Sequence, residues 1–303
     1  MRRLAERLKD RDIPYRTDVS SATLCTFRIG GTVALVIEPR CAGELYEAVM
    51  LCRRGHYPFE ILGNGSNVLF EDSYLSLALI RTSALEGVRF LGGDIRADCG
   101  VMLPRLARLC AMRGLDGLQR LCGIPATLGG ALTMNAGAHG KQVSELVKCV
   151  RILHLDTGEI ETDFNFKKNA MYRKCGYKDE NIVFLSAELT LREGADPSSL
   201  IAEMQCLGNQ RKASQPLDKP SAGCVFKRPH PDLPIGKFLD EVGCKGMREG
   251  GAQVSTKHAA FIVNVGGASA ADVKKLMLKI QKKAEKERGI IPEAELRIIS
   301  NRV

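Results

Sequence analysis

The sequence contains no tryptophan, and aromatic residues make up only 5% of its 303 residues. Proteins that bind single-stranded nucleic acid stack the bases on aromatic side chains, so this composition disfavours that function. The net charge of +9 suggests nucleic acid, but the basic residues are spread along the chain and are densest in one segment, residues 270–288. A positive balance suits small acidic ligands such as pyrophosphates and nucleotide sugars equally well. We therefore expect no nucleic-acid partner.

Long apolar runs are also missing. No segment approaches the roughly 20 apolar residues that a membrane-spanning helix needs, so we expect no membrane partner. The basic N-terminal segment MRRLAERLKDRDIPY is not followed by the apolar stretch of an export signal. It predicts a short amphipathic helix instead.

The 11 cysteines are scattered singly, without any C-x-x-C pair. Zinc sites and redox pairs use close spacing, so we expect no metal site. An odd count also argues against a disulfide framework. Cys52, Cys110 and Cys206 have apolar neighbours in the sequence and are interpreted as small core residues. Unpaired thiols of this kind predict a reducing, cytoplasmic compartment.

Hydrophobic periodicity predicts an α+β protein with a boundary near residue 195. The last segment, residues 270–288, has apolar residues at helical spacing on one face and lysines on the other. Strands are predicted over residues 33–38, 59–62, 68–70, 77–80, 150–155, 182–191, 260–264 and 295–300. Helices are predicted over residues 43–54, 103–113, 198–212, 235–243 and 270–288, and a glycine-rich turn over residues 221–229.

The string Gly63-Asn64-Gly65-Ser66-Asn67 directly follows a predicted strand. Glycine permits positive φ and close approach, and Asn and Ser add local hydrogen bonds. Such a turn presents several backbone N–H groups, which together can bind a pyrophosphate. An ordinary Asn-Gly hairpin turn between two apolar strands is the alternative interpretation.

A second small-residue segment, GIPATLGGALTMNAGAHG, spans residues 123–140. Each glycine costs about 1 kcal/mol relative to alanine inside a helix, so five glycines disfavour a core helix here. They favour backbone packed against a flat, extended ligand, while the embedded Ile124, Leu128, Leu132 and Met134 disfavour a solvated linker. The polar side chains available to hold a ligand are Thr127, Thr133 and Asn135. Two such segments favour a dinucleotide that spans both, without the G-x-G-x-x-G of a Rossmann unit.

Seven motifs occur in a fixed order along the chain. They are TFRIGG, ILGNGSNVL, GIPATLGGALTMNAGAHG, YRKCGYKD, SAGCVFKRP, GGAQVSTKHAAFIVN and PEAELRII. In this order and spacing the chain resembles the UDP-N-acetylenolpyruvoylglucosamine reductase (MurB) family, in the shorter form that lacks an extra loop and subdomain. The resemblance covers about residues 15–302.

The resemblance implies a two-part FAD-binding module of the vanillyl-alcohol-oxidase (PCMH) type plus a C-terminal α+β substrate-binding domain. The expected boundaries are residues 1–85 and 86–195 for the two FAD-binding subdomains and 196–303 for the substrate domain. It also implies noncovalent FAD and a ping-pong reaction with NADPH as the hydride donor. The implied reaction reduces UDP-N-acetylglucosamine enolpyruvate to UDP-N-acetylmuramate for peptidoglycan.

The resemblance assigns roles to individual residues. The implied catalytic residues are Arg173, Cys224 and Glu295. The implied FAD contacts are Gly63, Asn64, Gly65, Ser66, Asn67, Gly123, Ile124, Pro125, Thr127, Gly129, Gly130, Asn135, Ala136 and Gly137. The implied contacts to the UDP-sugar substrate are Tyr172, Lys227, Arg228 and Gln253.

These residue types suit the implied chemistry. Hydride transfer to the enolpyruvyl group leaves carbanion character beside its carboxylate, and a guanidinium and a carboxyl group can stabilise that enolate-like charge. Cys224 stands where many relatives have Ser. A thiol, with a reference pKa of about 8.5, is mostly protonated at neutral pH and is a stronger acid than an alcohol.

The chain also departs from the family pattern. Ala126 replaces the usual Gly, His139 the usual Tyr, and Cys175 the usual Ser after the Tyr-Arg pair. Arg228 and Ser300 replace residues that are often Asn and Gly. Ala126 adds one methyl group near the flavin, and Arg228 changes the expected contacts to the UDP-sugar.

Two other functions fit parts of this pattern. The first is another FAD-dependent oxidase or dehydrogenase of the same superfamily, in which His139 could tether the flavin. The second is a basic nucleotide- or nucleic-acid-binding protein without turnover.

Overall fold

The computed structural model describes residues 1–177 and 181–301, so Lys178 and Asp179 of the YRKCGYKD motif lie outside the described residues. The helices are α1 (Arg2–Lys9), α2 (Ala42–Arg54), α3 (Leu103–Ala111), α4 (Leu128–Thr133), α5 (Phe166–Asn169), α6 (Pro197–Ser214), α7 (Ile235–Glu241) and α8 (Ala270–Arg288). Within the described ranges, none of the helices is long and apolar enough to cross a membrane.

The strands are short and are spread along the whole chain, which confirms the α+β class. They are β1 (Tyr15–Ser20), β2 (Thr32–Ile37), β3 (Phe59–Leu62), β4 (Val68–Phe70), β5 (Leu75–Arg81), β6 (Val88–Leu91), β7 (Asp94–Asp98), β8 (Gly137–Ala138), β9 (Lys141–Gln142), β10 (Val147–His154), β11 (Ile160–Asp163), β12 (Ile182–Thr190), β13 (Ser221–Cys224), β14 (Arg248–Glu249), β15 (Ala252–Val254), β16 (Phe261–Asn264) and β17 (Arg297–Ile299).

The chain forms two compact units, and each consists of three separate stretches of sequence. Unit 1 contains Met1–Thr17, Leu35–Asn64 and Leu77–Gln210. Unit 2 contains Asp18–Ala34, Gly65–Ser76 and Arg211–Val303. The three-part division at residues 85 and 195 stays a prediction.

Unit 1 is built around two sheets. Five antiparallel strands form one of them in the order β11-β10-β12-β7-β6. The other has the order β1-β2-β5-β3, and β3 runs parallel to β5. Strands β1, β2 and β5 each begin in one unit and end in the other. One continuous apolar core fills unit 1 and includes Leu4 and Leu8 of α1, so the amphipathic N-terminal helix is confirmed.

Unit 2 contains an antiparallel sheet of order β13-β16-β15-β14 and the parallel pair β17-β4. Helix α8 begins with a capping box, because Ser269 and Asp272 bond each other's backbone N–H groups. It ends at Gly289, whose φ of 66° stops the helix in the left-handed conformation. Its buried face consists of Ala270, Val273, Leu276, Met277, Ile280 and Ala284, and its lysines lie on the other side, as the sequence pattern predicts.

Several elements differ from the sequence predictions. Strands β1, β6, β7 and β11 are half exposed and contain charged residues among the apolar ones, so no continuous apolar run marks them. The predicted glycine-rich turn begins as a strand, β13, because Ser221 and Cys224 pair with β16. None of the cysteines, all of which lie in the part of the chain that the structure describes, forms a disulfide bond, but the core interpretation of Cys206 is wrong. Cys206 is exposed on α6, whereas Cys52 and Cys110 are buried.

Gly31 of the TFRIGG motif is packed tightly against backbone atoms of unit 2. A Cβ atom there would lie 2.3 Å from the carbonyl oxygens of both Asp72 and Ser73. We expect Gly31→Ala to lower the free energy of unfolding by about 1–3 kcal/mol, because backbone atoms must shift to admit the methyl group. Urea unfolding followed by circular dichroism measures this change.

Gly208→Ala in α6 is the matched control, because no atom of the residues that the structure describes lies within 4 Å of the new methyl group. It should stabilise the protein by about 0.5–1 kcal/mol, the usual gain on replacing glycine in a helix. Equal stability of the two variants would contradict the packing explanation.

Candidate active site

The two glycine-rich segments of the sequence come together within unit 1. A Cβ atom on Gly63 would lie 2.3 Å from Oγ1 of Thr127, so only glycine permits this approach. The side-chain Nδ2 of Asn64 donates a hydrogen bond of 2.7 Å to the carbonyl oxygen of Pro125. The end of β3 and the start of α4 are thereby held side by side.

The remaining part of the GNGSN turn belongs to unit 2. Gly65 has a φ of 65°, and a Cβ atom there would lie 2.3 Å from the carbonyl oxygen of Leu24. Its own carbonyl accepts a 3.1 Å bond from the backbone N–H of Thr26. The hydroxyl of Thr26 donates to the carbonyl of Ser221 at 2.7 Å. The TFRIGG motif therefore connects this turn to the SAGC strand.

The 123–140 segment contains a helical turn, α4, although its glycine content disfavours a helix. Thr127 compensates as the N-cap, since its buried hydroxyl accepts a 3.2 Å bond from the N–H of Gly130. A Cβ atom on Gly129 would lie 2.9 Å from Cβ of Cys99, so packing requires glycine there. For Gly130, Oγ1 of Thr127, at 3.4 Å, is the nearest described contact of an added Cβ atom. Gly130 therefore leaves one side of α4 open.

Asn135, in the second half of this segment, is 1% exposed. Its Nδ2 donates to Oε1 of Gln142 at 2.8 Å and to the carbonyl oxygen of Met171 at 3.0 Å. Its Oδ1 accepts a 3.2 Å bond from the N–H of Ser144. Both N–H groups of the Asn135 side-chain amide therefore donate hydrogen bonds to acceptors within the protein.

Tyr172 and Arg173 form the tip of a tight turn in unit 1. Met171 and Lys174 exchange both backbone hydrogen bonds, at 3.0 and 3.1 Å. Arg173 has a φ of 57°, a left-handed conformation that is uncommon for a residue other than glycine. Its guanidinium carbon lies 5.1 Å from the centroid of the Tyr172 ring.

The chain after this turn is anchored in the core of unit 1. The hydroxyl of Tyr177 donates to the Asp163 carboxylate, and its ring packs edge-on against Phe184 at 5.9 Å between centroids. Burial and this carboxylate raise the pKa of Tyr177 well above its usual value. Gly176 is required because a Cβ atom would lie 2.2 Å from the carbonyl oxygen of Asn169. Cys175, the thiol of the YRKCGYKD motif, is buried.

Cys224 and Glu295 lie on neighbouring backbone segments of unit 2. Phe226 and Ala294 form an antiparallel bridge, and the N–H of Glu295 donates to the carbonyl of Val225 at 2.8 Å. The structure thus brings together two of the three predicted catalytic residues. The third, Arg173, belongs to unit 1.

Asn67 connects the GNGSN turn to the segment that carries Glu295. Its Nδ2 donates to the carbonyl oxygen of Glu295 at 3.1 Å. Its own carbonyl accepts a 3.1 Å bond from the N–H of Arg297. This second bond continues the parallel pairing of β4 with β17, so the position of Glu295 depends on the turn.

The predicted substrate residues have different surroundings. Lys227 forms an ion pair with Glu293, and its side chain is only 17% exposed. Arg228 is exposed, and its Nη1 lies 3.4 Å from the carbonyl oxygen of Pro231. Gln253 lines a cavity of about 450 Å³ in unit 2.

Three lysines also line that cavity, and the sequence analysis missed them. The lining residues are Lys212, Pro216, Leu217, Asp218, Lys219, Gln253, Ser255, Thr256, Lys257 and Val263. The lysines come from separate segments, and each resembles an ordinary solvated cation in the sequence. With a single carboxylate among the lining residues, the cavity carries net positive charge, which suits a phosphorylated ligand.

The chain is similar to known proteins over most of its length. Residues 33–163 match the family model described as FAD binding domain, and residues 215–299 match the model of the UDP-N-acetylenolpyruvoylglucosamine reductase C-terminal domain. The chain is 40% identical to the UDP-N-acetylenolpyruvoylglucosamine reductase of Carboxydothermus hydrogenoformans over 257 residues, 84% of either protein. It is 36% identical to that of Caldicellulosiruptor bescii over 299 residues, 96% of this chain and 93% of the relative.

Solved structures show the same similarity. The structure of UDP-N-acetylenolpyruvylglucosamine reductase (MurB) from Thermus caldophilus superposes with a TM-score of 0.78 at 29% identity, over 94% of this chain and 98% of that one. Alkyldihydroxyacetonephosphate synthase superposes with a TM-score of 0.51 at 16% identity, over 64% of this chain and 40% of that one. The second likeness concerns the fold alone. Together they confirm the predicted fold class.

The contact between Gly63 and Thr127 is testable by a double-mutant cycle. Gly63→Ala should destabilise the protein by about 1–3 kcal/mol, because the new methyl group collides with Oγ1 of Thr127. Thr127→Ala removes that hydroxyl and costs about 1 kcal/mol as a lost N-cap. The double variant should be more stable than the sum of the two effects predicts, by about 0.5 kcal/mol or more. Strict additivity in urea unfolding would show that the two residues do not interact.

Proposed function

The chain belongs to the UDP-N-acetylenolpyruvoylglucosamine reductase family, and we propose that it reduces UDP-N-acetylglucosamine enolpyruvate to UDP-N-acetylmuramate for peptidoglycan synthesis. FAD, reduced by NADPH, serves as the redox cofactor. The observation that carries the proposal is the pairing of the two glycine-rich segments in unit 1, in a stretch that matches an FAD binding domain.

The paired segments suit a noncovalently bound dinucleotide. The contact of Gly63 with Thr127 and the bond from Asn64 to Pro125 bring two stretches of backbone together with few bulky side chains. The open side of Gly130 admits a ligand close to the main chain. Backbone N–H groups and small side chains then bind the cofactor without a covalent link.

When bound, FAD in its reduced form would supply the hydride that is added to the methylene carbon of the enolpyruvyl group. The neighbouring substrate carbon then acquires carbanion character, and its charge is delocalised into the adjacent carboxylate. Arg173 neutralises this charge, since a guanidinium stays protonated and binds a carboxylate through two parallel N–H groups. The tight 171–174 turn holds the base of this side chain in one conformation.

Cys224 completes the reduction as the general acid. Its thiol transfers a proton to the carbanion carbon, a C–H bond forms, and the resulting thiolate regains a proton from water. Glu295, on the neighbouring backbone segment, donates a hydrogen bond to the substrate carboxylate in its protonated form. Lys227 and Tyr172 contribute to substrate binding.

The lysine-lined cavity of unit 2 is proposed to bind the diphosphate of the UDP-sugar. Lys212, Lys219 and Lys257 supply positive charge, and Gln253, Ser255 and Thr256 supply hydrogen-bonding groups. A phosphate group contacted by several such residues is bound with charge-assisted hydrogen bonds.

An anaerobic experiment tests the proposed function. NADPH is added to the flavin-loaded protein until the yellow colour disappears, and the enolpyruvyl UDP-sugar is then added. Return of the oxidised flavin spectrum with formation of UDP-N-acetylmuramate supports the proposal. A flavin that stays reduced contradicts it, and a flavin that remains attached after denaturation favours a covalent oxidase instead.

Substitution of Cys224 should affect only one half-reaction. In Cys224→Ala, NADPH should reduce the flavin at nearly the wild-type rate. Reoxidation by the enolpyruvyl substrate should slow by about 10²–10⁴-fold, the usual contribution of a general acid. Cys224→Ser keeps a proton donor and should retain much of the activity. Stopped-flow absorbance of the flavin measures both steps, and equal loss in both would exclude Cys224 as the proton donor.

The phosphate role of the cavity is tested by removing one cation. Lys219→Gln should raise KM for the UDP-sugar about tenfold, the value of one hydrogen bond to a charged group, with little change in kcat. Lys282→Gln makes the same charge change on the exposed face of α8 and should leave KM unaltered. Steady-state assays over a range of substrate concentrations compare the two. Identical KM values in both variants would show that the cavity is not part of the substrate site.

A further inference from the structure

We propose that Asn135 is a positioning residue that fixes the Tyr172–Arg173 turn for the second half-reaction. This inference rests on the proposed role of Arg173. It differs from the direct cofactor contact that the sequence predicts for Asn135. The side-chain amide acts on the turn from inside the protein.

The hydrogen bond from Asn135 reaches the base of the turn. Its Nδ2 donates to the carbonyl oxygen of Met171 at 3.0 Å, two residues before Arg173. Met171 is also the residue that closes the turn, through the paired backbone bonds with Lys174. A shift of Asn135 would therefore move the whole 171–174 hairpin.

Three hydrogen bonds fix the orientation of the Asn135 amide. The N–H of Ser144 can only donate, so the atom facing it, at 3.2 Å, must be the carbonyl oxygen of Asn135. The opposite atom must then be the amide nitrogen, because it faces the carbonyl of Met171. The second N–H of the Asn135 amide donates to Gln142. Because Asn135 is only 1% exposed, its amide cannot replace these bonds with hydrogen bonds to water.

Backbone conformation adds to this arrangement. Asn135 has a φ of 38° and Arg173 a φ of 57°. Asparagine tolerates the left-handed region, whereas a bulky residue such as arginine adopts it only when its surroundings hold it there. On the other side of the turn, Gly176 and the bond from Tyr177 to Asp163 anchor the chain. Asn135 supplies the corresponding anchor on the near side.

The consequence for catalysis follows from the geometry of charge stabilisation. A guanidinium stabilises the developing enolate charge only if it is held in place before the reaction. A displacement of about 1 Å in a catalytic group can cost about 10²-fold in rate. Loss of the Asn135 bond should therefore slow flavin reoxidation by the substrate and leave the NADPH step intact.

Asn135→Asp is the main test, because it keeps the shape and the bond from Ser144 but turns both donors into acceptors. We expect normal flavin content, normal reduction by NADPH and a decrease of about 10²-fold in the limiting rate of reoxidation. Asn135→Gly, which adopts the observed φ without strain and lacks the amide, should show the same pattern and serves if the Asp variant does not fold. Lowering the pH should partly restore the Asp variant, since a protonated carboxyl group can donate to Met171 again.

Gln119→Glu is the matched control. Gln119 is also a buried amide of unit 1, 6% exposed, and its Nε2 donates to the carboxylates of Asp116 and Glu203. The change to an isosteric acid should lower stability without a selective effect on reoxidation. A selective effect in this control would show that general destabilisation explains the Asn135 result.

A double variant separates positioning from general structure. If Asn135 acts through Arg173, Asn135→Asp should cost nothing further once Arg173→Ala has removed the guanidinium. Full additivity would overturn the inference, as would loss of flavin from Asn135→Asp or wild-type reoxidation by that variant. If the wild-type protein itself fails to be reoxidised by the enolpyruvyl substrate, the proposed function fails rather than the role of Asn135.

Discussion

The close approach of Gly63 to Thr127 is the constraint on which the cofactor-binding half of the protein depends. At this point the end of a strand touches the N-cap of a helix, and no side chain fits between them. The bond from Asn64 to Pro125 fixes the same pair of segments from the other side. Since Thr127 also caps α4, one hydroxyl group determines both where the helix starts and how near the strand comes.

The 123–140 segment connects the backbone proposed to bind the cofactor with the turn that carries Arg173. Asn135 lies in the second half of this segment, and its side-chain amide donates a hydrogen bond to the carbonyl oxygen of Met171. In unit 2, the side chain of Asn67 makes a comparable hydrogen bond, because its amide donates to the carbonyl oxygen of Glu295. In both cases an asparagine of a small-residue segment supports the backbone near a proposed catalytic side chain. The two amides therefore connect segments proposed to bind the cofactor with segments that carry proposed catalytic residues.

Much of the fold could be predicted from the sequence, because apolar periodicity and glycine punctuation mark the buried elements. Helix α8, for example, has the predicted bounds. The half-exposed strands β6 and β7 were not predicted from the sequence, since sheet pairing rather than an apolar run defines them. The exposure of Cys206 also could not be predicted, because apolar neighbours along a helix do not determine which face is buried.

Only part of the candidate site could be predicted from the sequence. Ordered motifs identified the family, which the comparisons confirm. The structure brings the two glycine-rich segments together, and their contacts with FAD stay a prediction. The lysine-lined cavity was not predictable, because its residues come from α6, from two segments outside helices and strands, and from strands β15 and β16, which meet only in the folded unit 2. The roles of Arg173, Cys224 and Glu295 stay predictions.

The discontinuous course of the chain has a consequence for biosynthesis. Unit 2 needs residues 18–34 and 65–76 together with everything from residue 211 onward. At the usual 5–20 residues per second of translation, the early stretches emerge on the order of ten seconds before their packing partners. During that interval apolar residues such as Phe27 and Phe70 have no native core to enter. Nascent chains of this enzyme should therefore be clients of chaperones that shield exposed hydrophobic segments at the ribosome.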